Sequence, residues 1–131
     1  MDVTGGGEFA AIERLRCLFP AIGDDCAVVA DGLLLAADTV VRGVHGHDGQ
    51  DLGWKAVVAN VSDVAAMGGR PLWLLATVAG PPGLDVDLVM RGVQQGALEY
   101  DCEVVGGDLS QAPELVVTVA VVGRCDGPPV L

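Results

Sequence analysis

The chain has 131 residues, the size of one domain, and a formal net charge of −11 at pH 7. Such an acidic balance excludes nucleic-acid binding through a basic surface, but it permits phosphate ligands held through metal ions. No apolar run approaches the ~20 residues of a membrane-spanning helix, and no basic segment followed by an apolar one opens the chain. We therefore expect a cytoplasmic protein without nucleic-acid or membrane partners. Residues 1–131 are predicted to form a single domain, and the final Gly-Pro-Pro-Val-Leu is typical of a linker to a further domain.

The four cysteines are widely spaced and show no Cys-x-x-Cys pattern or local pairing with histidine. A zinc site or a disulfide framework needs closer or paired spacing. We predict buried structural thiols at Cys17, Cys26, Cys102 and Cys125.

A helix followed by a hairpin is predicted at the start of the chain. Apolar residues at helical spacing indicate a helix over residues 8–19, ended by Pro20. Asp31-Gly32 between two apolar runs predicts a two-residue hairpin turn. That register places Asp25 directly opposite Asp38, with Cβ atoms roughly 4.5–5.5 Å apart. Because like charges destabilise such a pair, we expect a cation between them; two solvated strand-end aspartates are the alternative.

The next predicted element is a long helix from an N-cap at Asp51 to about Met67. It is apolar on nearly all sides, so it belongs in the interior. Asn60 and Asp63 share one of its faces. A buried aspartate is costly unless it is paired, hydrogen-bonded or metal-bound, which makes Asp63 a candidate ligand. A structural aspartate that caps a nearby loop is the alternative.

The remaining pattern alternates strands and helices. We predict a strand over residues 72–79, a helix over 85–100, a strand over 102–105 leading into a Gly107-Asp108 turn, and a strand over 115–122. The complete order predicts an α/β (α+β) fold, in which a mixed β-sheet carries helices on one face.

Four carboxylates lie at the ends of apolar elements or on the buried helix. Four carboxylates that converge without nearby lysine or arginine favour a hard cation, Mg²⁺ or Ca²⁺, whereas transition metals prefer histidine or thiolate ligands. Gly107 would let the backbone approach a ligand closely. Metal-assisted phosphate chemistry ranks first by this reasoning, and a structural calcium site ranks second. The four residues are Asp25, Asp38, Asp63 and Asp108.

Several motifs occur in one order along the chain. They are Gly7-Glu8-Phe9, Ile22-Gly23-Asp24-Asp25-Cys26-Ala27, Asp38-Thr39, Gly43-Val44-His45, Asp51-Leu52-Gly53-Trp54-Lys55-Ala56, Asn60-Val61-Ser62-Asp63-Val64-Ala65-Ala66-Met67-Gly68 and Gly106-Gly107-Asp108. Together they closely resemble the N-terminal domain of thiamine-monophosphate kinase, in the superfamily of aminoimidazole ribonucleotide synthetase.

The resemblance implies transfer of the ATP γ-phosphoryl group directly onto thiamine phosphate, assisted by Mg²⁺ and without a catalytic side chain. It implies a homodimer whose sheets pair into a barrel, and a second domain without which this one is inactive. By position it implies metal ligands at Asp25, Asp38, Asp63 and Asp108. Gly107 and Asp108 would border ATP, and His45 would lie at the substrate.

Four positions depart from the family pattern: Ala36 and Ala37 replace Ser-Thr, Gly46 replaces Phe, and Leu109 replaces Thr. Two alternatives therefore stay open. One is a related ATP-using protein with a different acceptor. The other is a non-catalytic dimerisation or nucleotide-binding module.

Overall fold

The computed structural model describes residues 7–20, 26–29 and 31–127, without the side chain of Glu8. Within these ranges the elements are, in chain order, α1 (Gly7–Leu18), β1 (Ala27–Val29), β2 (Leu33–Val41), α2 (Gly49–Ala66), β3 (Arg70–Gly80), α3 (Val86–Glu99), β4 (Glu103–Gln111) and β5 (Val116–Arg124).

The strands form one sheet in the order β1-β2-β5-β3-β4. β3 and β4 run parallel, and the other neighbours are antiparallel. A parallel pair needs a crossover, and α3 supplies it. The predicted mixed sheet is confirmed.

The two faces of the sheet have different surroundings. We call the side that packs on α2 and α3 the covered face and the opposite side the open face. Side chains alternate between them along each strand. The covered face contributes fully buried residues such as Leu34, Leu74 and Val119, whereas Trp73 and Leu75 on the open face are 45% and 46% exposed. The predicted placement of helices on one face is confirmed for α2 and α3.

Glycines bring α2 and α3 into backbone contact. A Cβ on Gly53 would lie 2.2 Å from the Val89 oxygen, and one on Gly92 would lie 1.8 Å from the Gln50 oxygen. Both distances are far below van der Waals contact, so no other residue type fits at either position without displacing a helix.

No helix in the described part of the chain combines the length and apolarity that crossing a membrane requires.

The hairpin register differs by one residue from the prediction. Val29 pairs with Leu33, which leaves three residues between the paired positions instead of two. Asp31 and Gly32 do adopt positive φ, at 57° and 76°. The loop is held from outside the hairpin, because the Arg124 guanidinium donates to the Asp31 oxygen at 2.8 Å and the Cys125 N–H donates to the Gly32 oxygen at 3.0 Å. Local turn chemistry alone therefore did not determine the register.

Helix α2 begins three residues earlier than predicted. Asp48, not Asp51, is its N-cap, and the Asp48 carboxylate accepts a hydrogen bond from the Asp51 N–H at 3.1 Å. Both aspartates suit an N-cap, but only the earlier one adopts the extended backbone that a cap requires. Asp51 instead occupies the first turn, where its negative charge suits the helix dipole.

Strand β4 also differs from the prediction, because it continues through Gly107 and Asp108 to Gln111. The predicted Gly-Asp turn is therefore wrong. A Cβ on Gly107 would lie 1.8 Å from the Ala76 oxygen, so this glycine lets β4 lie close against β3. Its first structural role is strand packing.

Candidate functional site

A buried amide fixes α2 above the middle of the sheet. Asn60 is fully buried, and its Nδ2 donates to the Ala56 oxygen of its own helix at 2.9 Å and to the Val119 oxygen of β5 at 2.8 Å. Oδ1 of the same side chain is buried without a partner. Because one side-chain amide donates to both a helix and a strand, it fixes the position of α2 relative to β5.

Asp38 lies on the same level of the sheet. It pairs with Val119 in the ladder between β2 and β5, and it shares the covered face with Leu34 and Val40. The carboxylate is half-buried, and its Oδ2 is buried with no hydrogen-bond partner. A buried, unpartnered carboxylate oxygen is costly in the absence of a cation or a donor. Asp38 is therefore the residue that most directly indicates a ligand in this region.

Asp63 follows Asn60 by three residues on α2, which is a rise of about 4.5 Å along the helix axis. Asp63 is half-buried. Because Asn60 ties α2 to Val119, the partner of Asp38, the helix that carries Asp63 packs on the same covered face as Asp38. Asn60 is the residue that sequence reasoning placed on this face without a role at the site. Its signal was an amide on a helix that is otherwise apolar.

Asp108 lies on a different strand from Asp38 and on the other face of the sheet. The ladders connect Asp38 through Val119 and Ala76 to Gly107, so Gly107 is three strands away from Asp38, or about 14 Å at ordinary strand spacing. Asp108 follows on the opposite, open face, where it is exposed and pairs with Thr77. One chain therefore does not bring Asp108 together with Asp38. Asp25 lies outside the described residues.

No group of three or more His, Cys, Asp or Glu side chains is gathered as a metal site within residues 7–20, 26–29 and 31–127. The donor chemistry at Asp38 nevertheless fits Mg²⁺, because the ion takes oxygen ligands and the Asp38 Oδ2 is a buried, unsatisfied one.

A groove lies beside the edge strand β4. It has a volume of about 560 Å³ and lies between α3 and the Gly106–Gly107–Asp108 backbone, with Met90 and Val104 among its apolar walls. An apolar groove that ends at closely approaching glycine backbone suits a flat ring with an attached phosphate chain. Gly107 and Asp108 therefore line a groove that is large enough for a small-molecule ligand.

His45 lies in the turn between β2 and α2, where its side chain is exposed. Its Nδ1 accepts a hydrogen bond from the Val41 N–H at 2.9 Å. The Lys55 ammonium donates to the His45 backbone oxygen at 2.9 Å. Lys55 is a second residue whose contact with this turn the sequence did not show. It also forms an ion pair with Asp51, four residues earlier on α2, at 3.1 Å.

The prediction of buried thiols is confirmed for Cys26 and Cys125, and Cys102 is half-buried. Cys17 is exposed, so the prediction of a buried thiol is wrong there, because α1 exposes most of its surface. Burial raises the pKa of Cys102 above its ordinary value of 9.0, and the nearby negative charge of Asp101 raises it further. A protonated thiol is a poor nucleophile, which argues against thiolate chemistry at Cys102.

Residues 23–125 match the model of the family described as AIR synthase related protein, N-terminal domain. The chain belongs to this family. The AIR synthase related domain thus includes both the Asp38–Asp63 region and the groove at β4.

Members with curated names are similar to this AIR synthase related domain. The thiamine-monophosphate kinase of Aquifex aeolicus is 38% identical over 131 residues, which cover 92% of this chain and 43% of the relative. The thiamine-monophosphate kinase of Methanopyrus kandleri is 36% identical over 111 residues, with coverage of 82% and 36%. The solved structure described as AaThiL complexed with AMPPCP and TMP superposes with a TM-score of 0.84 and 38% identity, covering 95% of this chain and 44% of that one.

The chain thus spans about two-fifths of the length of these relatives. The similarity in sequence and fold extends over the AIR synthase related domain.

Proposed function

We propose that this chain is the nucleotide- and metal-binding domain of an ATP-dependent kinase that phosphorylates thiamine phosphate. The observation that carries the proposal is the Asp38 carboxylate, whose Oδ2 is buried and unpartnered below the asparagine that anchors α2. Family membership and the two kinases with 36–38% identity support the same reaction class. A neighbouring structure contains AMPPCP and TMP, which supports a nucleotide and an acceptor as the two ligands.

Mg²⁺ would be held by Asp38 and Asp63 on the covered side of the sheet, with Asp25 and Asp108 as further proposed ligands. When bound, the ion neutralises phosphate charge and lowers the barrier to phosphoryl transfer. The chain's own residues supply the anionic oxygens, and Asn60 fixes the helix that carries Asp63 relative to the sheet by tying α2 to β5. No covalent intermediate on a side chain is required, since direct transfer depends on positioning and charge.

The nucleotide is proposed to occupy the groove beside β4. Met90 and Val104 offer apolar contacts for a base, while Gly107 exposes backbone next to Asp108 for the phosphates. His45 is proposed to contact the acceptor. We also propose that the enzyme is cytoplasmic.

A homodimer is part of the proposal. The open face exposes Trp73, Leu75 and Val105, an apolar patch of the kind that usually marks an interface. Pairing two open faces into a barrel would bury it. Such pairing would also place the Asp108 residues, which lie on the open face, inside the assembly.

The native protein should convert ATP and thiamine phosphate to ADP and thiamine diphosphate in a Mg²⁺-dependent assay, and Asp63→Asn should abolish turnover. Asp126→Asn is the matched control, since Asp126 is exposed and only approaches Arg70 at 3.6 Å. Equal loss in both variants, or full activity in Asp63→Asn, would contradict the assigned role. Magnesium-linked nucleotide binding without turnover of thiamine phosphate would refute the acceptor and leave the nucleotide site.

A second candidate is an ATP-using enzyme of the same family with another acceptor. Ala36 lies half-buried on the covered face, two residues before Asp38, and offers no hydroxyl there. Gly46, the residue that follows His45, has no side chain. ATP hydrolysis stimulated by a different metabolite in a substrate screen would favour this candidate. Absence of magnesium-linked binding of a non-hydrolysable ATP analogue in calorimetry would favour a non-catalytic module.

A further inference from the structure

The turn that carries His45 is closed by its own backbone. The Gly43 N–H donates to the Gly46 oxygen at 2.7 Å, and the N–H groups of Val44 and His45 donate to the Val41 oxygen at 3.1 and 2.9 Å. A bridge between Arg42 and Gly46 completes the turn. The backbone of His45 is thereby fixed relative to the end of β2.

The imidazole is fixed by a separate hydrogen bond. The Val41 N–H donates to Nδ1 of His45 at 2.9 Å. A backbone N–H can only donate, so Nδ1 must present its lone pair. In a neutral imidazole the other nitrogen then carries the hydrogen. In this tautomer the exposed His45 ring carries Nε2–H as its hydrogen-bond donor.

Lys55 connects this turn to α2. Its Nζ donates to the His45 oxygen at 2.9 Å and lies 3.1 Å from Oδ2 of Asp51. A Cβ at Gly46 would lie 3.4 Å from Nζ, an ordinary van der Waals contact, so the ammonium packs directly against this residue. Gly46 has φ of +152°, a backbone conformation in which a side chain is strained. The residue after His45 and the lysine of α2 therefore fit each other.

We infer that Lys55 is a positioning residue that, with the Val41 N–H, holds His45 as a fixed Nε2–H donor for a phosphate oxygen of the acceptor. This role rests on the proposed function, since it places the acceptor at His45. Lys55 and Arg42 lie at the turn, where each is paired with a carboxylate, Asp51 at 3.1 Å and Glu114 at 3.5 Å. The Nε2–H of His45 is a group at the turn that can donate to an anionic oxygen. Lys55 acts through the backbone of His45, and it thereby fixes the direction of the His45 Nε2–H.

The tautomer can be measured without any activity. Two-bond ¹H–¹⁵N correlation spectra of the ¹⁵N-histidine-labelled protein should show His45 with a protonated Nε2 and an unprotonated Nδ1 at neutral pH. A His45→Gln spectrum assigns the signals against those of His47. A predominant Nδ1–H form would overturn the inference, whatever the protein's activity.

The positioning role is tested with Lys55→Met, which removes the ammonium and keeps most of the apolar stem. We expect a mixed tautomer signal and a KM for the acceptor raised roughly tenfold, the order of one lost charged hydrogen bond, with kcat and the KM for ATP nearly unchanged. Lys55→Arg should restore part of the effect. Asp51→Asn breaks the ion pair but leaves the bond to the His45 oxygen, so it should resemble the wild type.

The outcomes separate this inference from the proposed function. An unchanged acceptor KM in Lys55→Met, or an equal effect in Asp51→Asn, would overturn the positioning role. An Nε2–H signal that is lost in Lys55→Met supports the geometry of the turn. If the wild type showed that signal but did not use thiamine phosphate, the proposed acceptor would be wrong, and the phosphate-donor role with it.

Discussion

The covered and open faces of the sheet differ in how completely their apolar side chains are buried. On the covered face, Leu34, Leu74 and Val119 are fully buried under α2 and α3, and even the carboxylate of Asp38 has a buried oxygen. On the open face, Trp73 and Leu75 keep almost half of their surfaces exposed. The first face completes its core within the described chain. The second presents apolar surface that one copy of the domain leaves uncovered.

Adjacent leucines of β3 allow the largest test of this difference. Leu74→Ala should lower the free energy of unfolding by about 2–5 kcal/mol, because it opens a cavity among buried neighbours. Leu75→Ala, one residue away on the open face, should cost under about 1 kcal/mol in the monomer. Urea unfolding at low protein concentration measures both, and sedimentation should show weaker self-association in Leu75→Ala. Equal losses of stability would contradict the division into two faces.

The backbone contact between the covering helices gives the next largest effect. Alanine normally stabilises a helix relative to glycine by about 1 kcal/mol. Gly92→Ala should instead destabilise by about 3 kcal/mol, because the new Cβ would lie 1.8 Å from the Gln50 oxygen and must force the helices apart. Gly127→Ala, where the added Cβ meets nothing within 4 Å, is the control. Stabilisation by Gly92→Ala in a thermal melt would show that the helices are farther apart than described.

The amide that ties α2 to β5 should contribute less. Asn60→Ala removes the hydrogen bonds to the oxygens of Ala56 and Val119 and should cost about 1–3 kcal/mol. Gln95→Ala, on the exposed side of α3, should change the unfolding free energy by under about 0.5 kcal/mol. Denaturant titration distinguishes the two variants. Identical midpoints would mean that Asn60 does not anchor the covering helix.

The smallest effect concerns thiol chemistry rather than folding. Cys102 packs partly against the covered core, and its raised pKa should make alkylation near pH 8 slower than that of the exposed Cys17. Asp101→Asn should speed the reaction at Cys102, since it removes the second cause of the shift. Mass spectrometry after timed iodoacetamide treatment measures both rates. Faster alkylation of Cys102 than of Cys17 would contradict the protection by burial.

The same shift has a consequence for stability. The folded state binds the Cys102 proton more tightly than the unfolded state, so this contribution is complete below pH 9 and decreases as the pH rises through the folded pKa. Thermal melts above pH 9 should show a smaller decline in the Cys102→Ser variant than in the wild type.

Elements with strong local signals were predictable. The long apolar run of α2, the β-branched residues of β5 and the Pro-Gly segment after β3 gave the element order and the mixed sheet. The boundaries were less accurate, because Asp48 and Asp51 both suit an N-cap and the sequence does not show which one adopts an extended backbone. β4 was predicted too short, because glycines usually weaken strands and here they permit close packing on Ala76.

The sequence by itself determined the fold class, the family and the residue types of the candidate site, since these depend on periodicity and on motifs in order along the chain. Tertiary structure decided which carboxylates share a region. Strand order places two strands, β5 and β3, between Asp38 and Asp108, and side-chain alternation turns Asp108 to the other face. It also decided that Lys55 and the Val41 N–H hold His45 from two sides. Neither relation follows from spacing along the chain, because strand order and side-chain direction arise only when the whole sheet is assembled.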